Sequence, residues 1–439
     1  MPFTKIVRLG MLHMAVAMTL VPINSTLNRI MISELGLAAT LVAILVSLPY
    51  VFSPIQVWIG AYSDQHPLYG YRRSPYILLG LLMCAGGAAL APSAAFLMHS
   101  NMALGLPLGL LAFGAWGMGF NFATVSYLSL ATDLAGEEHR ARTVGVMWFM
   151  LITSVIVTAI VVARFLRPYS ANPLSTEGIA ALYSVFYGVS AVAVLLGLLG
   201  LLGIERRGGS AHTGERQSFP AMLRMIGTNP QARLFFVYLV VLLIALLGQD
   251  LLLEPYAADV FGVPVSRTTE YTSIWGIALL VALLLTNRLI RWVGKGRAAA
   301  IGGVIAAAGL VLIALSGLMG IKSLLMVALI IFGFGSGIST ATNISLMLDM
   351  TIAGKVGAFI GAWGMADALA RFCGTLLSGV VRDGIKALTG NTLAAYTTVF
   401  LIEALALGVS LVLLRRISVS RFRDTTPSSV VELAGYAEL

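Results

Sequence analysis

GAYSDQHPLYGYRRSPYILLG, residues 60–80, separates two long apolar runs with Gly60, then Asp64 four residues on, then the pair Arg72 and Arg73. Its neighbours decide how it reads. The chain has 439 residues, 58% of them hydrophobic and only 11% charged, whereas roughly a quarter of a soluble globular chain is charged. The flanking runs are therefore membrane spans, and residues 60–80 are the polar joint between the second and the third.

A span needs about 20 apolar residues. That ruler predicts twelve transmembrane helices, among them 8–33, 38–62, 75–97, 103–132, 232–256, 358–381 and 393–414. The polar, glycine-rich stretch after the sixth span divides them six and six. The expected organisation is an N-terminal six-helix bundle at 1–204, a cytoplasmic linker at 205–230, a C-terminal bundle at 231–416 and a disordered cytoplasmic tail at 417–439. Thr228, Asn229 and Pro230 read as a cap and first-turn proline opening the seventh helix. The formal net charge is +9, with 28 Lys and Arg. Most of these fall in loops on one side if both termini are cytoplasmic, as the positive-inside rule requires. The basic excess is thus a topology signal, and nucleic-acid binding is set aside. The first apolar run has no small-residue cleavage site and is read as a helix, not as a signal peptide.

The two halves match each other. Gly117–Leu134, GMGFNFATVSYLSLATDL, aligns without gaps on Gly333–Met350, GFGSGISTATNISLMLDM, with Gly119 on Gly335 and Asp133 on Asp349. A gapless register between a fourth and a tenth helix indicates a duplicated six-helix unit. The fold class is all-α, polytopic and membrane-embedded, in two pseudo-symmetric bundles. The joint at 60–80 resembles the loop between helices two and three of the major facilitator superfamily, which implies the same fold.

Several polar sets can carry function. Gly60, Asp64, Arg72, Arg73, Asp133, Arg140 and Arg142 form a candidate cytoplasmic latch, in which the carboxylates pair with arginines or face a helix N-terminus. Ionisable groups at membrane depth are functional hypotheses because leaving them unpaired costs several kcal/mol. They are Arg29 with Asn24, Asn28 and Glu34 in the first helix, Asp250 and Glu254 in the seventh, Asp367 and Arg371 in the eleventh, and Glu403 in the twelfth. Asp367 and Arg371 stand at i, i+4 and are expected to pair on one helix face. Asp250 and Glu254 read either as a proton-coupling pair or as polar residues at the membrane rim, and their place near a helix end favours the rim. Arg29 and Glu403 can bind a ligand or each other. No Ser-His-Asp set, HExxH, CxxC pair or Walker loop occurs, so no catalytic residue and no metal site is expected, and the chain is read as no enzyme. Cys84 and Cys373 lie in apolar runs and are read as small buried hydrophobes.

Longer blocks narrow the resemblance. STLNRIMISELG, VSLPYVFSPIQVWIGAYSDQHPLYGYRRSPYILLG, ATDLAGEEHRARTVGVMWFM and GAFIGAWGMADALARFCG resemble the PucC family, the bacteriochlorophyll-delivery branch of the same superfamily, over about residues 5–415. The resemblance implies an assembly factor for light-harvesting antenna complexes that binds or delivers chlorophyll or bacteriochlorophyll. It also implies antenna polypeptides, tetrapyrrole pigment and the lipid bilayer as partners, in a bacterial inner, intracytoplasmic or thylakoid photosynthetic membrane. His13 and His99 are the candidate pigment ligands, since only they are read as lying within the membrane, His99 just past the end of the third predicted span. His66, His139 and His212 fall in loops. A lone intramembrane histidine more often hydrogen-bonds a neighbouring helix. The alternative reading is a proton-coupled secondary transporter of a small solute.

Overall fold

The computed structural model describes residues 2–205, 207, 229–350, 356–418 and 421–422. No strand occurs among them, and eleven helices are long and apolar enough to cross a membrane. They are α1 (Phe3–Glu34), α5 (Ser74–Ser100), α6 (Met102–Gly136), α7 (Arg142–Phe165), α9 (Thr176–Leu201), α10 (Pro230–Leu251), α12 (Val265–Val293), α13 (Lys295–Leu318), α14 (Lys322–Asp349), the Gly364–Thr389 part of α15 (Val356–Thr389) and α16 (Thr392–Leu414). Short helices α8 (Arg167–Ala171) and α11 (Leu253–Phe261) lie in connections. The expected linker and tail fall almost wholly outside the described residues. Where the linker ends, the Asn229 side chain accepts from the backbone N–H groups of Gln231 at 2.9 Å and Ala232 at 3.2 Å, capping α10 as its sequence predicts.

The expected second span, 38–62, is not one helix. It is a run of three: α2 (Ala39–Val46), α3 (Leu48–Val51) and α4 (Ile55–Gln65). Pro49 and Pro54 stand at the breaks, and proline has no N–H to continue an intrahelical ladder. A carbonyl freed in a bilayer must find another donor. Asn121 on α6 supplies one, donating to Pro49 O and to Gly117 O, each at 2.8 Å. The seventh span is also interrupted, by a 3-10 turn at Gly248–Leu251 that separates Asp250 from Glu254.

The chain clusters into two compact units. One comprises Met1–Thr213, Asp250–Gly276 and Ser378–Thr392; the other comprises Gly214–Gln249, Ile277–Leu377 and Leu393–Leu439. Inside each, one helix pair approaches closely through glycine. In the first unit, a Cβ on Gly119 of α6 would lie 2.3 Å from the Cys84 backbone nitrogen of α5. In the second, a Cβ on Gly335 of α14 would lie 2.3 Å from the Ala306 backbone nitrogen of α13. Gly119 and Gly335 are the residues that the internal alignment superposes, so the duplication extends to the packing contact itself. Gly114, by contrast, has open space around it.

These contacts predict a pair of opposite results. Gly119→Ala or Gly335→Ala forces a methyl into backbone and should cost about 1–3 kcal/mol, read as a clear fall in the melting temperature of detergent-solubilised protein. Gly86→Ala on α5, where nothing stands within 4 Å, should leave melting unchanged or raise it.

Candidate functional site

The polar residues of α1 come together because of how that helix is wound. Val21–Leu27 and Ile30–Glu34 are π-helical turns, the first with Pro22 near its start. Such turns insert an extra residue and re-aim the side chains that follow, often at functional positions. Here they turn Ser25, Asn28 and Arg29 toward the segment 250–276 of the same unit. Ser25 Oγ donates to Glu254 Oε1, as does Thr272 Oγ1 at 2.8 Å. Asn28 Nδ2 donates to Leu251 O at 2.6 Å and to Asn24 O at 3.1 Å. Arg29 gives Nη1 to Glu34 Oε1 at 3.0 Å and Nη2 to Val263 O at 2.8 Å, while Tyr169 of α8 donates its hydroxyl to the other oxygen of Glu34.

Two expectations change here. Glu254 is not at an exposed rim: it is 4% exposed, and its Oε2 is buried with no hydrogen-bond partner. The reason is the break after Leu251, which turns α11 inward against α1. Arg29, for its part, gives Nη1 to Glu34 and Nη2 to a carbonyl, while its Nε is buried with no hydrogen-bond partner. Asp250 sits in the 3-10 turn, half-buried. Asp367 and Arg371 pair at 2.9 Å, the i, i+4 geometry their spacing implies. Glu403 is buried on α16.

At the 60–80 joint, Arg73 is buried, donates from Nη1 to Ser63 Oγ at 2.7 Å, and has Nε 3.8 Å from Asp133 Oδ2. Arg142 is exposed. The side chains of Gly60, Asp64 and Arg140 lie outside the described residues. Sequence reasoning missed the strongest contact of this region, which is made by Glu205. Its carboxylate accepts from the backbone N–H groups of Arg72 at 2.8 Å, Arg73 at 3.0 Å and Ser74 at 2.7 Å, and from Ser74 Oγ at 2.6 Å. That places an anion on the N-terminus of α5, where unsatisfied N–H groups and the helix dipole both favour it. The GIERR run after the sixth span carried a signal, because a lone glutamate among arginines at a helix exit invites a partner.

A second missed cluster centres on Arg382, 4% exposed, which meets Asp383 at 2.9 Å and Asp259 at 3.5 Å. Asp383 in turn accepts from Thr40 N and Thr40 Oγ1, both at 2.8 Å, at the start of α2. Of the two candidate pigment ligands, His13 is buried between Tyr127, 5.0 Å away and tilted, and Trp148, 5.4 Å away and edge-on. His99 is exposed and its Nδ1 lies 2.8 Å from Leu35 O. Cys84 is buried as expected, and Cys373 is half-buried.

A family model described as PUCC protein matches residues 26–422. The chain is 30% identical over 431 residues to a Rhodobacter capsulatus protein named Protein PucC, covering 93% of this chain and 91% of that one. It is also 30% identical over 416 residues to a Rhodobacter capsulatus protein named Bacteriochlorophyll synthase 44.5 kDa chain, covering 91% and 92%. Among solved structures, a mutant form of the nucleoside transporter NupG superposes with a TM-score of 0.71 at 15% identity, covering 96% of this chain and 100% of that one. This last likeness establishes the transporter-type fold.

Two substitutions test the geometry. Arg29→Ala leaves the part-buried Glu34 without its cation and should destabilise by about 1–3 kcal/mol; adding Glu34→Gln should recover part of that loss, a coupling that a double-mutant cycle of melting temperatures measures. Glu205→Ala removes four accepted hydrogen bonds and should cost more than one ordinary cap, about 1–3 kcal/mol, whereas Arg142→Ala should cost little.

Proposed function

Because this chain belongs to the PUCC protein family, we propose that it is an assembly factor for photosynthetic light-harvesting complexes. On this reading it binds or hands over chlorophyll or bacteriochlorophyll, chaperones antenna polypeptides in the membrane, or does both. The observation that carries the proposal is the family match over residues 26–422, together with a full-length relative whose name refers to bacteriochlorophyll. The chain's own chemistry is compatible. Among the described residues no three His, Cys, Asp or Glu side chains gather as a metal site. Ser25, Asn28 and Arg29 of α1 are tied to other protein groups, as suits a holding role.

Pigments with hydrocarbon tails partition into the bilayer and can reach such a protein sideways, with no aqueous path. An apolar groove of about 520 Å³ on α5 and α9, lined by Leu82, Ala85, Gly86, Ala89, Val194 and Leu198 among others, offers hydrocarbon a resting place. The membrane would be the photosynthetic one, with both termini cytoplasmic, two six-helix bundles as the working parts, and the Arg73, Asp133 and Glu205 contacts fastening the joint of the first.

A second reading, a proton-coupled carrier of a small solute, draws on one observation: Glu254 is buried with one carboxylate oxygen unpartnered. A carboxylate so placed binds and releases a proton at a cost its surroundings control.

Gene deletion in a phototrophic host separates the two. Assembly predicts loss of antenna absorption while pigment synthesis continues; unchanged antenna content would overturn it. In proteoliposomes, the carrier reading predicts solute-dependent proton flux that Glu254→Gln abolishes, and the assembly reading predicts no such flux in the unsubstituted protein.

A further inference from the structure

The loop joint is preceded by an aromatic ladder along α4. Trp58, Tyr62 and His66 stand at i, i+4 and i+8 along α4 and its C-terminal cap, hence on one helix face. Trp58 and Tyr62 stack with centroids 5.2 Å apart and planes 24° apart, and Tyr62 and His66 stack at 4.1 Å and 14°. All three are exposed; Trp58 is 62% accessible and Tyr62 41%. Beyond them the chain makes a two-residue hairpin closed by Leu68 N to Tyr71 O at 2.9 Å and Tyr71 N to Leu68 O at 3.0 Å. Its central residues have positive φ, 55° at Tyr69 and 81° at Gly70. A tyrosine there is strained, by about 1–3 kcal/mol, and the strain holds its ring at the loop tip, 90% exposed. With Leu68 at 46%, five exposed apolar or aromatic side chains fall within residues 58–69, more than a well-solvated loop needs.

The His66 ring is oriented by one hydrogen bond. Its Nδ1 lies 3.1 Å from Tyr62 O. A carbonyl only accepts, so Nδ1 carries a proton, and in the neutral ring Nε2 then presents the lone pair. Metal-bound histidines are oriented in this way, by giving the other ring N–H to a carbonyl. The backbone is fixed as well, since Tyr76 donates its hydroxyl to His66 O at 2.7 Å.

One imidazole cannot hold a bare ion, and no three-residue cluster of metal ligands exists among the described residues. It can complete the coordination of a metal whose four equatorial positions are already filled. We propose that His66 Nε2 is an axial ligand for a metallated planar tetrapyrrole, with Trp58, Tyr62, Leu68 and Tyr69 as the apolar surface around it. An imidazole ligates through its edge, so the macrocycle stands perpendicular to the ring. Tyr62 and Trp58, nearly parallel to His66, then also meet the macrocycle edge to face, the arrangement that aromatic quadrupoles favour. His99 also sets its Nδ1 against a carbonyl, Leu35 O, and what distinguishes His66 is the stacked aromatic face beside it. The site rests on the reading of the family as handling pigment.

The test uses the full-length protein in detergent, titrated with zinc protoporphyrin IX dimethyl ester and, separately, with the metal-free ester. We expect a red-shifted Soret band with the zinc compound. His66→Phe should abolish that shift and weaken zinc-compound binding about tenfold or more without changing the metal-free titration, while His99→Phe should behave as the unsubstituted protein. Trp58→Ala should weaken both compounds. Monodisperse elution of each variant verifies folding, since the Tyr76 bond is to the His66 backbone. A shift retained in His66→Phe, or one lost in His99→Phe, overturns the site, and the ladder is then a membrane-interface anchor only. The family reading is tested apart from this, by whether pigment or antenna subunits co-purify from a phototrophic membrane. Co-purification with an unchanged His66→Phe titration removes the site alone; a His66-dependent shift without co-purification removes the reading and keeps the site.

Discussion

A bilayer supplies no water to satisfy a buried polar group, and the first helix carries an arginine, a glutamate and two asparagines into that environment. Each of these groups must find its partner inside the protein or cost several kcal/mol. Arg29 does so by dividing its donors between Glu34 and the Val263 carbonyl, and Asn28 by reaching the Leu251 carbonyl. Both carbonyls belong to stretches where a regular helix has ended, so the donors of α1 answer acceptors that the breaks in the chain set free. The π turns of α1 are the local means of this match, since they rotate the donors into place.

Elsewhere the same requirement is met by single polar side chains at helix breaks and ends. Asn121 covers the carbonyl left open at Pro49, Glu205 covers the N–H groups opening α5, and Asp383 those opening α2. Between such points the helices are held by close apposition. Gly119 and Gly335, which the internal alignment pairs, each bring a helix against the backbone of its neighbour within their own unit.

Function builds on this frame without being dictated by it, since one fold serves many cargoes. The interior contacts of α1 fix Ser25, Asn28 and Arg29 against the segment 250–276, which suits a body that holds its shape. The exposed aromatic face at the joint is different in kind: it is solvent- and lipid-accessible, its histidine is oriented, and one of its residues is held in a strained conformation. Stabilising groups and recognising groups are thus separated in space.

The composition and the apolar runs determined that the chain is polytopic and all-helical. The gapless repeat determined its duplication, the family blocks its kinship, and the i, i+4 spacing the Asp367 and Arg371 pair. Each of these is a property of neighbours along one helix or of long stretches of chain. Tertiary structure alone decided that the second span is three helices, that Glu254 is buried against Ser25, and that Glu205 caps α5. The physical reason is that spacing reports which residues share a face of one helix, whereas Ser25 and Glu254 are 229 residues apart. A polar group's partner across that distance is fixed only when helices pack, and with it the group's charge, exposure and availability to a ligand.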